Sequence, residues 1–205
     1  MSAQETRRSL PFQDPPWLGR LLGGTEWAWL WLLMRLYVGW KWLDSGWGKI
    51  TGTGWMDGGA SLKGFWERAV VIPEAGRPAI AYGWYRDFLE FMLNAGAYTW
   101  FAKLLAVGEF LVGLALIVGA FTAIAAFFGA FMNWNFMMAG SASINPVMLV
   151  LAVALIMAWK TAGWIGVDRW LLPALGTPWQ PGQLVLRIRE RPPWARPPRP
   201  TPRAG

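Results

Sequence analysis

The sequence contains no cysteine and no histidine. The first absence excludes disulfide bonds, thiol–disulfide exchange, cysteine-bound zinc and iron–sulfur clusters, and the second removes the commonest protein ligand of metals and haem. We therefore expect no metal, no haem and no iron–sulfur cluster in this protein. Any redox chemistry in which the chain takes part must use electron carriers that other molecules supply.

Charged residues are scarce as well, because Asp, Glu, Lys and Arg together make up 15% of the 205 residues. Hydrophobic residues make up 55% and tryptophan occurs 17 times, a composition that indicates a membrane protein. The formal net charge is +7, but the arginines concentrate in a proline-rich tail, so we expect no nucleic-acid binding. The sequence also lacks soluble-enzyme signatures such as G-x-S-x-G and the Walker A loop.

The first long apolar stretch, residues 26–49, reads EWAWLWLLMRLYVGWKWLDSGWGK. Its length fits an uncleaved helix that crosses the membrane, which takes about 20 residues. Each charge inside such a helix costs about 2.5–3.5 kcal/mol at mid-depth, so these charges need partners. Positions 35, 39, 42, 46 and 49 share one helical face, which carries Arg35 and Lys49. Arg35 must therefore find its partner on another helix.

Three further apolar stretches, residues 99–119, 121–139 and 147–165, predict three more spanning helices. Residues 82–95 are amphipathic, which is typical of a helix that lies in the plane of the membrane interface. The predicted fold is an all-α membrane protein. It is a four-transmembrane-helix bundle with an interfacial amphipathic helix in the first loop.

The two ends of the chain are predicted to lie outside the bundle. Residues 1–24 form a flexible cytoplasmic arm, residues 25–173 the four-helix membrane domain, and residues 174–205 a Pro/Arg-rich cytoplasmic tail. The prolines that follow Arg191 favour a polyproline II conformation in the tail. The tail is either held at anionic lipid by its arginines or laid along a partner subunit with Trp194 as an anchor.

Lys and Arg are distributed unevenly among the segments that connect the predicted spans. The two short connections contain neither residue, whereas both ends of the chain are rich in arginine. By the positive-inside rule, both termini are cytoplasmic and the long first loop lies outside. We thus expect a multi-pass protein of a bacterial or archaeal inner membrane, in contact with membrane lipids.

Two charged residues at similar predicted depths form the first candidate site. Arg35 lies roughly 12 Å into the first span and Glu109 roughly 15 Å into the second, measured from opposite sides of a core about 30 Å thick. Gly39 and Gly113 each follow one of them by four residues, which allows the two helices to approach closely. We therefore predict an Arg35–Glu109 pair. The pair either locks two helices together or takes part in proton- or quinone-linked chemistry.

The second candidate site is a cluster of polar and aromatic side chains near the end of the first span. Polar groups beside aromatic rings at a membrane interface suit a quinone head group, but they also suit an ordinary aromatic belt. At most one of the two asparagines faces the cluster, because they are about 200° apart around their helix. The candidate quinone-binding residues are Trp40, Lys41, Asp44, Trp47, Asn133 and Asn135.

Four segments resemble, in order, the DoxX/DoxD family of membrane proteins, and the resemblance runs from about residue 35 to residue 173. They read RLYVGWKWLDSGWGKI (residues 35–50), YGWYRDFLE (82–90), VGEFLVGLALIVGAFT (107–122) and FFGAFMNWNFMMAGSASINP (127–146). The characteristic Arg, Gly-Trp and Glu positions of the family match Arg35, Gly46, Trp47 and Glu109.

The resemblance implies a four-helix membrane bundle, and its DoxD branch implies the small subunit of thiosulfate:quinone oxidoreductase. Such an enzyme passes electrons from thiosulfate to a membrane quinone and forms tetrathionate. A second protein subunit would then be required. Assembly of several copies of this chain into a homo-oligomer is also compatible with the resemblance. The alternative function is a non-catalytic membrane partner that anchors or stabilises a larger respiratory assembly.

Overall fold

The computed structural model describes residues 15–176, and the regular structure in that range is helical. The predicted polyproline tail and most of the predicted arm lie outside the described residues. A short 3-10 turn, Thr25–Trp27, joins the first two helices. The helices are α1 (Pro16–Gly23), α2 (Ala28–Thr51), α3 (Ala60–Val70), α4 (Gly83–Asn94), α5 (Tyr98–Val118), α6 (Thr122–Met138), α7 (Asn145–Met157) and α8 (Asp168–Leu175).

Helix α1 shows that the prediction of a flexible arm was wrong for its last part. Pro16 occupies the first helical turn, where its missing N–H costs nothing, so it starts a helix instead of breaking one. The carbonyl oxygens of Leu21 and Leu22 accept hydrogen bonds from Trp31 Nε1 (3.1 Å) and Thr161 Oγ1 (2.9 Å). These two bonds tie the end of α1 to the bundle.

Helices α2 and α5 form the most extensive helix pair among the described residues. They run antiparallel, because Gly39 approaches Gly113 whereas Gly46, later in α2, approaches Phe110, earlier in α5. Glycines allow this contact: a Cβ on Gly46 would overlap the backbone of Phe110, and one on Gly113 would lie 2.8 Å from the Gly39 carbonyl oxygen. The predicted shared face of α2 is confirmed, because Arg35, Gly39, Trp42 and Gly46 are all buried. Helices α6 and α7 pack on this pair and complete the main hydrophobic core.

Among the described residues, α5 is the helix that is long and apolar enough to cross a membrane, judged by length and composition. Helix α2 has 24 residues but carries four charged residues, and α6 has only 17 residues. The predicted span at residues 147–165 is shorter than expected, since α7 ends at Met157 and turns follow it. The all-helical prediction is therefore confirmed, whereas four spans remain a prediction.

Helices α3 and α4 form a second, smaller core against the first half of α5 and the end of α6. The predicted amphipathic helix is present as α4, but its buried edge consists of Tyr85 and Leu89. The aromatic residues Trp84, Phe88 and Phe91 of α4 are exposed. They are free to contact lipid, which fits a helix at a membrane surface. We refer to this end of the bundle as the Lys49 end and to the opposite end as the Arg35 end.

Candidate functional site

A buried ion pair joins α2 and α5 at the Lys49 end. Lys49 Nζ lies 2.6 Å from Glu109 Oε2 and also donates to Ser45 Oγ at 2.7 Å. The Glu109 side chain is fully buried, whereas 17% of the Lys49 side chain is exposed. The ammonium group also lies 5.0 Å from the centre of the Trp55 ring, within range of a cation–π interaction. Lys49 therefore faces both the protein interior and an open space.

The predicted Arg35–Glu109 pair is wrong, because the two side chains lie at opposite ends of the α2–α5 contact. A Cβ on Gly119, ten residues after Glu109, would overlap the Arg35 guanidinium. Ten helical residues correspond to roughly 15 Å. The depth argument assumed that both helices begin level with the membrane surfaces. In fact the first two turns of α2 extend past the end of α5, which shifts the pairing by about three turns.

Arg35 belongs instead to a structural junction at its own end of the bundle. Its Nη2 donates to the Ile165 carbonyl oxygen at 2.6 Å. Nearby, the buried Asp168 carboxylate accepts the backbone N–H groups of Phe121 (2.7 Å) and Thr122 (2.8 Å), which begin α6. Arg35 thus supports the packed turn that precedes α8 and does not join α2 to α5 through Glu109.

The Lys49–Glu109 pair forms part of the wall of an open cavity of about 540 Å³. Helices α2, α3, α5 and α6 contribute to it, together with the loop that leads into α7. Two further cations, Lys41 and Arg68, face it, so its charged lining is predominantly positive. We call it the Lys49 cavity. Its other lining residues are Trp42, Ser45, Trp55, Ser61, Phe65, Asn133, Phe136, Ser141, Ser143, Ile144 and Asn145.

Three buried residues of the Lys49 cavity have polar atoms with no hydrogen-bond partner among residues 15–176. These atoms are Oε1 of Glu109, Nε1 of Trp42 and both amide atoms, Oδ1 and Nδ2, of Asn133. Asn133 is only 1% exposed. A buried polar group without a partner costs about 1–3 kcal/mol, so a hydrogen bond from a ligand or a water molecule would stabilise these atoms. The cavity therefore offers both hydrogen-bond donors and acceptors to a ligand.

The structure divides the six predicted quinone-binding residues among three places. Lys41 and Asn133 line the Lys49 cavity. Three others, Trp40, Asp44 and Trp47, lie on the outer surface of α2 around a shallow groove with Phe110, as expected for an aromatic belt. The sixth, Asn135, points elsewhere. The two asparagines line different cavities, as expected from their separation around the helix, but the predicted cluster itself is divided.

A second cavity lies beside the first and is almost entirely apolar. It has a volume of about 230 Å³, and we call it the Tyr85 cavity. The Tyr85 hydroxyl lies within hydrogen-bond distance of two acceptors of Asn135, its backbone carbonyl oxygen (3.1 Å) and its side-chain Oδ1 (3.2 Å). Burial raises the pKa of Tyr85 to about 12, so the hydroxyl remains a neutral donor at physiological pH.

Sequence analysis missed Lys49, Trp55 and Arg68 as site residues. The sequence did indicate Lys49. It lies on the same helical face as Arg35, and one turn before it Gly46 allows another helix to approach closely. Trp55 and Arg68 lie in the first loop and in α3, and only the folding of α3 over the end of the bundle brings them to the cavity. No spacing in the sequence indicates that contact.

The region of the chain that matches a known protein family contains the central residues of this site. The DoxX family model matches residues 30–140, which include α2 to α6 and therefore Lys49, Glu109 and Asn133. The chain belongs to the DoxX family. Comparisons with curated proteins and with solved structures give no significant match. DoxX is a membrane-associated family, so the apolar surface of this DoxX protein is a surface for lipid contact.

Proposed function

We propose that this DoxX protein is a quinone-linked integral membrane subunit of a redox complex, of the thiosulfate:quinone oxidoreductase type. The Lys49 cavity carries the proposal. It combines a buried ion pair and an unpartnered amide with aromatic walls. Its volume falls in the usual range of about 300–1,000 Å³ for small-molecule sites.

The cavity provides what the head group of a quinone requires. Lys49 Nζ and Asn133 Nδ2 are donors for the two quinone carbonyl oxygens. Trp42, Trp55 and Phe136 supply flat apolar walls. Reduction to the quinol takes up two electrons and two protons. Lys49 can donate one of the protons and becomes neutral. The second proton, and the one that recharges Lys49 and restores its ion pair with Glu109, come from water through the open cavity.

The electrons must come from outside this chain, because it has no cysteine and no histidine. In the proposed reaction, two thiosulfate ions lose two electrons and join as tetrathionate. A second subunit holds the thiosulfate site, and this subunit holds the quinone.

We also propose that the bundle crosses the membrane four times, through α2, α5, α6 and α7, with both termini in the cytoplasm. Exposed apolar side chains support this arrangement. On α5 they recur at the helical spacing of one outward face: Leu104, Val107, Leu111, Leu114 and Val118. Helix α6 exposes Ile124, Phe127, Phe128 and Phe131, and α7 exposes Val147, Val150, Val153 and Met157.

The alternative function is a non-catalytic membrane partner of a larger assembly. The absence of cysteine and histidine favours it, and a buried Lys–Glu pair can also act only as a lock between helices. The two functions differ in one respect: a partner subunit needs no ligand in the Lys49 cavity.

The test uses the complex purified from its native membrane, with this subunit in the wild-type form or carrying Glu109→Gln or Lys49→Met. The matched control is Glu67→Gln, which disrupts the exposed Lys63–Glu67 pair (3.5 Å) on α3. We expect thiosulfate-dependent quinone reduction to fall at least tenfold in both site variants, with no change in the control. Recovery of the subunit in the complex is measured in parallel. Wild-type complex without quinone binding and without this activity would contradict the proposal and favour the partner function.

A further inference from the structure

The Tyr85 cavity shares two of its side chains with the Lys49 cavity. Phe65 of α3 and Phe136 of α6 line both spaces, so the two cavities adjoin at these aromatic residues. The two cavities differ in chemistry. The first contains three cations, a carboxylate and two asparagine amides, whereas the lining of the second is dominated by aromatic and aliphatic groups.

The polar groups of the Tyr85 cavity are already engaged with each other. The Tyr85 hydroxyl donates to Asn135, and the Asn135 amide nitrogen donates to the Phe131 carbonyl oxygen at 2.8 Å. A ligand in this cavity would therefore meet apolar surface and find little to hydrogen-bond. Such a space favours a hydrocarbon group, because burial of apolar surface drives the binding.

The outer wall of the Tyr85 cavity is open to the surroundings of the bundle. Phe88 of α4 and Phe131 of α6 line it and are 46% and 53% exposed. Both lie on surfaces that carry further exposed aromatic residues, including Phe91 and Phe127. A chain that leaves the cavity between these two helices would pass directly into lipid.

We propose that the Tyr85 cavity binds the hydrocarbon tail of a membrane quinone whose head group occupies the Lys49 cavity. The inference rests on the proposed function and assigns the substrate class: quinones with a long polyprenyl tail. Phe65 and Phe136 form the boundary between head and tail. The tail then passes Phe88 and Phe131 into the membrane, which lets the substrate reach the site from the bilayer.

Variants that fill the cavity test the proposal without touching the polar site. Leu105→Trp places a large ring on α5 at the cavity wall, and its matched control, Leu104→Trp, places the same ring on the lipid-facing side. Met92→Trp and its control Phe91→Trp repeat the comparison on α4, in case one variant fails to fold. Each protein is reconstituted in lipid nanodiscs, and its folding is checked by thermal denaturation.

Equilibrium binding is measured with three probes: a benzoquinone with a polyprenyl tail, the same benzoquinone with a methyl group instead, and the polyprenyl alcohol without a quinone. We expect Leu105→Trp and Met92→Trp to weaken binding of the tailed quinone about tenfold. Binding of the tailless quinone should stay within twofold of wild type, and both controls should bind as the wild type does. Equal binding of the tailed quinone by variants and controls would overturn the inference.

The probes separate failure of this inference from failure of the proposed function. If the tailless quinone binds but the filling variants have no effect on the tailed one, the quinone site stands and the tail site does not. If the polyprenyl alcohol binds in a manner sensitive to Leu105→Trp and the tailless quinone does not bind, the tail site stands and the quinone function does not.

Discussion

Arg35 and Glu109 are both almost completely buried, yet different means compensate their charges. Glu109 has a direct partner in Lys49. Arg35 has the Ile165 carbonyl oxygen and the nearby charge of Asp168, whose carboxylate is held by two backbone N–H groups of α6. Two guanidinium nitrogens of Arg35, Nε and Nη1, also have no hydrogen-bond partner among residues 15–176, but Arg35 lines neither the Lys49 cavity nor the Tyr85 cavity. The Lys49–Glu109 pair adjoins an open cavity, so it can contact a ligand, whereas Arg35 contacts a turn of the chain itself.

Tyr85 gives a prediction about alkaline stability. Its pKa is about 12 in the folded protein, against about 10 for an exposed tyrosine. Between these values the unfolded chain releases the proton while the folded chain retains it, so stability falls as pH rises from 10 towards 12. Below pH 10 the effect is absent. Tyr85→Phe should remove this component of the alkaline loss, which amounts to at most about 2–3 kcal/mol.

Melting temperatures of wild type and Tyr85→Phe in one detergent, at pH 8 and pH 11, check this expectation. Tyr82→Phe is the matched control, because Tyr82 is 56% exposed and precedes the same helix. An equal loss of melting temperature at pH 11 in wild type and Tyr85→Phe would contradict the prediction.

At the scale of helices, the α2–α5 contact depends on glycines at defined positions. Gly113→Ala would bring a methyl group within 2.8 Å of the Gly39 carbonyl oxygen and into the backbone of Leu43. We expect the free energy of unfolding to fall by about 1–3 kcal/mol, because the added methyl group forces the two helices apart. Gly108→Ala on the same helix is the control, since a Cβ there has open space. The free energy of unfolding of Gly113→Ala and Gly108→Ala is measured in a denaturing detergent mixture. Equal stability of the two variants would contradict this account.

The same contact shows what the sequence could predict at this scale and what it could not. Helical periodicity correctly placed Arg35, Gly39, Trp42 and Gly46 on one buried face, because a period of 3.6 residues is a local property. The register between two helices is not local. It depends on the fit of Gly46 to Phe110 and of Gly113 to Gly39 and Leu43. Depth measured from predicted helix ends could not find that fit.

Helix ends caused the remaining differences between prediction and structure. The sequence places no proline or charge at Met157, so the pattern continued the fourth helix to residue 165. In the structure, Thr161, Ala162 and Gly163 are buried in tight turns at this point. Pro15 and Pro16 caused the opposite error, because prolines at a helix start resemble those that break a helix.

At the scale of the whole molecule, the candidate site is a product of the tertiary fold. Asn133 and Lys41 were predicted as site residues and do line the Lys49 cavity. Trp40, Asp44 and Trp47 belong to the same helix as Lys41 but face outward. Composition and periodicity indicate which residues are polar within an apolar helix. Only the arrangement of α3 and the loop before α7 over the bundle decides which of them share one cavity.

The Lys49 cavity also constrains how the bundle can lie in a membrane. Trp55 in the loop after α2 and Ile144 in the loop before α7 line the same space. The two loops must therefore lie on one side of the membrane. If α5 alone crossed the bilayer, these loops would lie on opposite sides, because one precedes α5 and the other follows it. Crossings by α2, α5, α6 and α7 satisfy the constraint and place residue 25 on the other side.

Labelling of single cysteines tests this topology, because the natural chain has no cysteine to remove. Three exposed positions serve: Thr53→Cys and Ala142→Cys in the two loops, and Thr25→Cys before α2. We prefer Thr53 to Gly58 in the same loop, since Gly58 has a φ of 119°, which other residues rarely adopt. A membrane-impermeant maleimide added to intact cells with a permeabilised outer envelope should label positions 53 and 142. Position 25 should react only after the inner membrane is lysed. The cysteine-free parent gives the background, and labelling of positions 53 and 142 from opposite sides would refute the four-span arrangement.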